Sequence, residues 1–158
     1  MLDPQDLISR MKEYTRFLTD LGGVTAEVLQ APMAADKWSA QEAVAHIMSW
    51  DANFLETVVL ALEAGKQLLL ADEVDFQAFN ERAAALGRQL TKQQLLAKAT
   101  AARVQLVEHL QRLRPEAFQT KRQGRGDGDL VEFLERNFVS HDRHHIDQVR
   151  EYLASTRA

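Results

Sequence analysis

The chain of 158 residues contains five histidines and no cysteine, so any metal it holds must be bound by imidazole or carboxylate, and disulfides and thiol nucleophiles are excluded. His141 and His145 stand four residues apart. On a helix that spacing puts two imidazoles on one face, where they can chelate a divalent ion. A third imidazole from another helix would leave coordination positions open for water or substrate, the arrangement found in catalytic rather than structural sites. His46, one turn before Trp50, has a better claim to that third place than His109 or His144, which read as satisfied or partly exposed histidines. On pattern alone His46 stays open between ligand and packed side chain. Asp51 is a candidate catalytic group, as an acceptor that orients a ligand imidazole or as a general base. The competing and favoured reading is a buried ion pair with Arg16 or Arg103.

These residues need helices to position them. From Asp129 to Leu153 the pattern is that of one amphipathic helix: at about 100° per residue, Leu130, Leu134, Phe138, Val149 and Tyr152 fall within an arc of roughly 100°. His141 and His145 fall inside the same apolar arc, where unpaired polar rings would be costly. Ser39 with Glu42 forms a capping box that opens a second long helix, able to run to Ala64 before Gly65. Its apolar face carries Val44, Ile47, Met48, Phe54, Leu55, Val58 and Leu62, with Asp51 in the middle and His46 on the flank beside Trp50. Trp38, just before the cap, is either a pocket wall or a packing anchor.

Two further long helices follow from similar signals. Asp3, Pro4 and Asp6 start the first, with Leu7, Met11, Tyr14, Leu18 and Leu21 as its stripe and Gly22-Gly23 as its end. Thr91 and Gln94 form another capping box before Leu95, Ala99, Ala102, Leu106, Leu110 and Leu113, and Pro115 stops that helix. Between them, Val24–Lys37 is a connector with room for one helical turn. Val74, Phe76, Phe79 and the run 81–86 predict a short inserted helix ending near Gly87. The glycine-containing stretch 116–128 predicts a mobile crossing loop. The expected fold is all-α: a single-domain four-helix bundle with crossover connections and one extra short helix.

Hydrophobic residues make up 46% and charged residues 27% of the chain, which argues against disorder and coiled coil. No apolar run reaches the 18 or so residues of a membrane span. The first residues lack the basic and apolar regions of a secretion signal, so a cytoplasmic protein is expected. The net charge of −4 gives no global attraction for phosphate, and the one basic cluster, Lys121-Arg122-Gln123-Gly124-Arg125, reads as a solvated loop. Nucleic acid is therefore expected to be excluded as a partner, as is a membrane.

Three stretches together resemble the DinB-like superfamily. They are Lys37-Trp38-Ser39-Ala40-Gln41-Glu42-Ala43-Val44-Ala45-His46-Ile47, Asp75-Phe76-Gln77-Ala78-Phe79-Asn80-Glu81, and His141-Asp142-Arg143-His144-His145-Ile146-Asp147-Gln148-Val149. The middle one is similar to members near the ClbS/DfsB-like and second DinB-type subfamilies. The resemblance implies a four-helix bundle in which His46, His141 and His145 bind one divalent metal, often nickel or zinc. It also implies frequent homodimers and small-molecule substrates, since relatives include hydrolases and thiol-dependent transferases and isomerases. A metal-dependent hydrolase or thiol transferase is the leading expectation. The alternatives are a non-catalytic small-molecule binding or sequestering bundle, and a dimeric helical scaffold with a vestigial site.

Overall fold

The computed structural model describes residues 2–65, 75–121 and 128–156. Val74 and most of the basic cluster, from Arg122 to Arg125, lie outside them. Six helices follow in order. Helix α1 spans Pro4–Leu21, with Asp3 accepting from the Gln5 amide. The connector turn is α2, Ala26–Gln30, capped by Thr25. The third, α3, is continuous through Ala40–Phe54, a π-helical turn at Leu55–Val59 and Leu60–Glu63, and its Ser39/Glu42 capping box is closed in both directions. The inserted helix α4 is Phe76–Gln89, capped by Asp75. Helix α5 is Lys92–Arg112, with the Thr91/Gln94 box at its start. A 3-10 turn at Pro115–Gln119 begins the expected crossing loop. The last helix, α6, runs through Leu130–Leu134, a π-helical turn at Glu135–Val139 and Ser140–Thr156.

Helix α1 packs against α5 and α6, and α3 packs against α5 and α6. The successive pairs α1/α3 and α5/α6 therefore lie across the diagonals of the bundle, joined by the crossover connections. Helix α4 packs on α3 outside this frame. It runs two residues beyond the expected stop at Gly87, because that glycine serves close approach instead of termination. A Cβ there would stand 2.7 Å from the Ala45 Cβ, tighter than any real contact. Gln41 on α3 completes the joint by donating to the carbonyls of Gly87 and Leu90, both at 2.7 Å.

The core is divided. One apolar cluster holds Met11, Phe54, Leu106, Phe138 and their neighbours; the other holds Tyr14, Val44, Ile47, Ala99, Val149 and theirs. Between them in the chain of every long helix sits one polar element of a single buried network centred on Arg103. The Arg103 Nε and Nη2 donate to Asp51 at 2.8 and 3.0 Å, Nη1 and Nη2 donate to Asp142 at 2.7 and 3.1 Å, and Nη1 also reaches the Met11 carbonyl at 3.0 Å. All five guanidinium N–H groups are thereby used. The guanidinium also lies 4.5 Å from the centre of the Tyr14 ring. Among the described residues no helix is long and apolar enough to cross a membrane.

Replacing Arg103 with methionine should leave two buried carboxylates without their partner and cost about 3–5 kcal/mol. Urea unfolding followed by circular dichroism should show this as a lower midpoint. The deficit relative to the parent should shrink as the pH falls toward 4, because protonation neutralises Asp51 and Asp142. A midpoint within experimental error of the parent at pH 7 would refute the structural role given to Arg103.

Candidate metal centre

The π-helical turn in α6 decides where its histidines point. A wide turn takes up one extra residue and rotates everything after it relative to a uniform α-helix. The expected arc holding Leu134, Phe138, His141 and His145 therefore does not persist. Beyond the turn Asp142 and Val149 are buried, and His141 and His145 are half-buried on the adjoining flank. That flank meets the His46 side of α3, where His46 is buried at 5% exposure.

The three imidazoles come together. His46 Nε2 is 3.0 Å from His141 Nε2, His145 Nε2 is 3.2 Å from His141 Nε2, and the three ligand atoms lie within 4.8 Å of one another. Nitrogens held at about 2.0–2.1 Å from one ion, at angles between octahedral and tetrahedral, stand roughly 2.8–3.4 Å apart. The two short separations fit that range.

Proton counting adds a chemical reason. A neutral imidazole carries one N–H. His46 Nδ1 lies 3.0 Å from Asn80 Oδ1, an acceptor, so its proton is committed there and Nε2 presents a lone pair to His141. His141 Nε2 can either donate its one proton to His46 or accept a proton from His145, and it cannot do both. At least one of the two contacts is therefore not a hydrogen bond. Extra protons do not resolve this at neutral pH. Burial, followed by the proximity of His141 and His145, lowers the His46 pKa to about 4 against the opposing bond to Asn80. Burial, then His141 and His144, lowers His145 to about 4. Burial, with His144 and Arg103 adding to it, lowers His141. Three neutral, converging nitrogens are a donor set that suits a borderline-soft divalent cation.

The remaining candidates fall into place around this group. Asp51 has both oxygens engaged by Arg103, and not by Arg16, so the ion-pair reading holds for it. His109 sits with Glu63 at 2.8 Å, away from the cluster. His144 is exposed, its ring 5.2 Å from that of His145. Trp38 lies against His46 with ring centres 5.0 Å apart, so it lines the site as well as packing. Among the described residues His145 Nδ1 is buried with no partner of hydrogen-bonding geometry, although the Gln148 side chain is near enough to oppose the lowering of its pKa. Two residues escaped the sequence reading. Asp142 went unnoticed because a uniform helix places it at the edge of the arc. Asn80 lay within a stretch notable only for its resemblance, and no periodicity assigns it a partner.

Four helices with diagonal crossovers, bringing three histidines from two of them to one point, define a bundle with a candidate metal centre. The chain belongs to the DinB superfamily, whose sequence profile matches residues 10–149. No curated protein sequence matches it. Among solved structures, YfiT from Bacillus subtilis is described as a probable metal-dependent hydrolase with an unusual four-helix bundle topology. It is similar at a TM-score of 0.78 and 16% identity, over 97% of this chain and 87% of that one. The colibactin self-resistance protein ClbS, solved in complex with a double-stranded DNA, is similar at a TM-score of 0.75 and 15% identity, over 97% and 96%. A protein from Streptococcus pneumoniae gives a TM-score of 0.76 at 13% identity, over 98% and 94%. At these identities the likeness is one of fold.

ClbS overturns one expectation. Net charge was the ground for excluding nucleic acid, yet a protein of this fold is found on DNA, so the exclusion is withdrawn. Association with a polyanion depends on where charges lie on the surface, and a negative total does not forbid a local positive field.

A histidine whose pKa is lower in the folded than in the unfolded state stabilises the fold fully above about pH 6.5. That contribution is lost as the pH falls through the folded value, which is about 4 for His46 and His145. Asp51, pushed up to about 6 by burial against the pull of Arg103, acts in the opposite sense. The histidine share is isolated by comparison with a His145→Gln variant. In metal-free protein, the melting temperature of the parent minus that of the variant should decrease steadily from pH 6.5 to 4; a difference independent of pH would contradict it.

Proposed function

We propose that His46, His141 and His145 hold one divalent ion, zinc or nickel, and that the protein is a metal-dependent enzyme acting through water or a thiol cosubstrate. The observation that carries this reading is the convergence of one ring nitrogen from each of the three histidines within 4.8 Å, with Nε2–Nε2 contacts of 3.0 and 3.2 Å that ring protons alone do not satisfy. When bound, such an ion supplies Lewis-acid polarisation and lowers the pKa of a nucleophile near neutral pH. The protein's own part is to keep the three rings neutral by burial and to hold them from two helices fixed at one level by Arg103. Trp38 packs its ring against that of His46.

The description of YfiT as a probable metal-dependent hydrolase supports hydrolysis ahead of thiol transfer. ClbS, a self-resistance protein in complex with DNA, supports a protective role, and keeps DNA among the partners to be tested. The absence of cysteine means that any thiol in the reaction is a cosubstrate.

Protein purified without an affinity tag and dialysed against zinc or nickel should retain about one ion per chain. His145→Ala should retain less than about a tenth of that while keeping its helical circular dichroism. Turnover that disappears with a chelator and returns with metal would distinguish an enzyme from a sequestering bundle. Failure of the parent to retain either metal would sink the proposal.

A further inference from the structure

We propose that Asn80, carried by α4 outside the four-helix frame, is a positioning residue that fixes the ring orientation and tautomer of His46, making α4 a working part of the metal centre. The inference rests on the reading of the three histidines as ligands and extends it to a residue that touches none of the converging nitrogens.

The argument is a chain of forced hydrogen-bond roles. An indole N–H can only donate. Trp50 Nε1 lies 2.9 Å from the side-chain oxygen of Asn80, and that contact orients the amide, since the alternative flip would set two donors face to face. With its oxygen so placed, Asn80 accepts from His46 Nδ1 at 3.0 Å. The proton is then on Nδ1, and Nε2 is the free lone pair directed at His141. One amide oxygen thus takes two donors, and the second sets the tautomer that ligation through Nε2 requires.

The amide is also held in space. Ala83, Ala84 and Gly87 are the buried residues of α4, on the face that Asn80 shares at helical spacing. Gly87 lets the backbone approach Ala45 so closely that a Cβ does not fit. The two bonds from Gln41 close the same joint. Asn80 therefore meets His46, which follows Ala45 directly and lies just over one turn beyond Gln41 on α3, from a rigid support. Among the described residues, no side chain of the four-helix frame bonds His46 Nδ1.

The test uses the full chain as the parent and as Asn80→Leu, Asn80→Asp and Trp50→Phe. Long-range proton–nitrogen correlation spectra of metal-free protein report which ring nitrogen of His46 carries the proton. The parent and Asn80→Asp should show Nδ1–H, whereas Asn80→Leu should populate Nε2–H, as should Trp50→Phe to a lesser degree through amide flipping. Zinc affinity, measured by competition with a chelator, should fall about 10–100-fold in Asn80→Leu and recover in Asn80→Asp. A residue that merely packs would leave the tautomer unchanged and would gain nothing from the carboxylate. Nε2–H on His46 in the parent, or zinc affinity in Asn80→Leu equal to that of the parent, overturns the proposal. If the parent takes up neither zinc nor nickel, the metal reading falls separately. The tautomer in that same sample then decides the positioning role: Nδ1–H in the parent and its loss in Asn80→Leu uphold it, and any other pattern overturns it.

Discussion

One guanidinium holds the bundle in register. Arg103 on α5 meets Asp51 on α3, Asp142 on α6 and the Met11 carbonyl on α1, so all four long helices are joined at a single level. A charge in the core is costly to desolvate, and such a network adds little net stability over a well-packed apolar core. Its stronger effect is on specificity. With an apolar cluster on either side, sliding α3, α5 or α6 by one turn would drive a carboxylate or the guanidinium among hydrocarbon side chains, unpaired. The level of each helix is thereby fixed, and with it the heights at which His46, His141 and His145 emerge on the flank.

The two π-helical turns complete that arrangement. They occur at Leu55–Val59 and Glu135–Val139, and the rings of Phe54, just before the first, and Phe138, within the second, are 4.8 Å apart across the core. Each lets its helix present an apolar face to one cluster and a differently phased face to the other. In α6 the consequence is chemical. Asp142 turns inward to Arg103, while its neighbour His141 turns toward His46. Adjacent residues serve the frame and the site separately.

Much of this was legible in the residues. The caps at Asp3, Ser39 and Thr91 are local chemistry, and local chemistry places helix starts well. The buried Asp51 announced a partner, and Arg103 was one of two it could have had. His141 and His145 declared themselves by spacing, whereas His46 was singled out mainly by family likeness, since it sits off the main stripe. What stayed hidden was whatever depends on departures from a uniform helix or on contacts between distant segments. A wheel drawn at constant pitch cannot contain a π turn, so it placed both histidines in the core and missed Asp142. Gly87 read as punctuation because a close helix contact leaves no mark in its own helix. Asn80 had no pattern to obey; its role comes from Trp50 and His46, both more than a helix away in the chain.

The diagonal crossovers give the histidine cluster a significance for the chain as a whole. His46 and His141 are 95 residues apart in sequence and 3.0 Å apart in space, in a protein without a single cysteine. An ion shared between them would close a loop comparable to that of a long-range disulfide. Unlike a disulfide, it would be reversible: by mass action the fold would tighten as free metal rises and loosen as it falls. The persistence of the folded chain would then be tied to the metal supply around it.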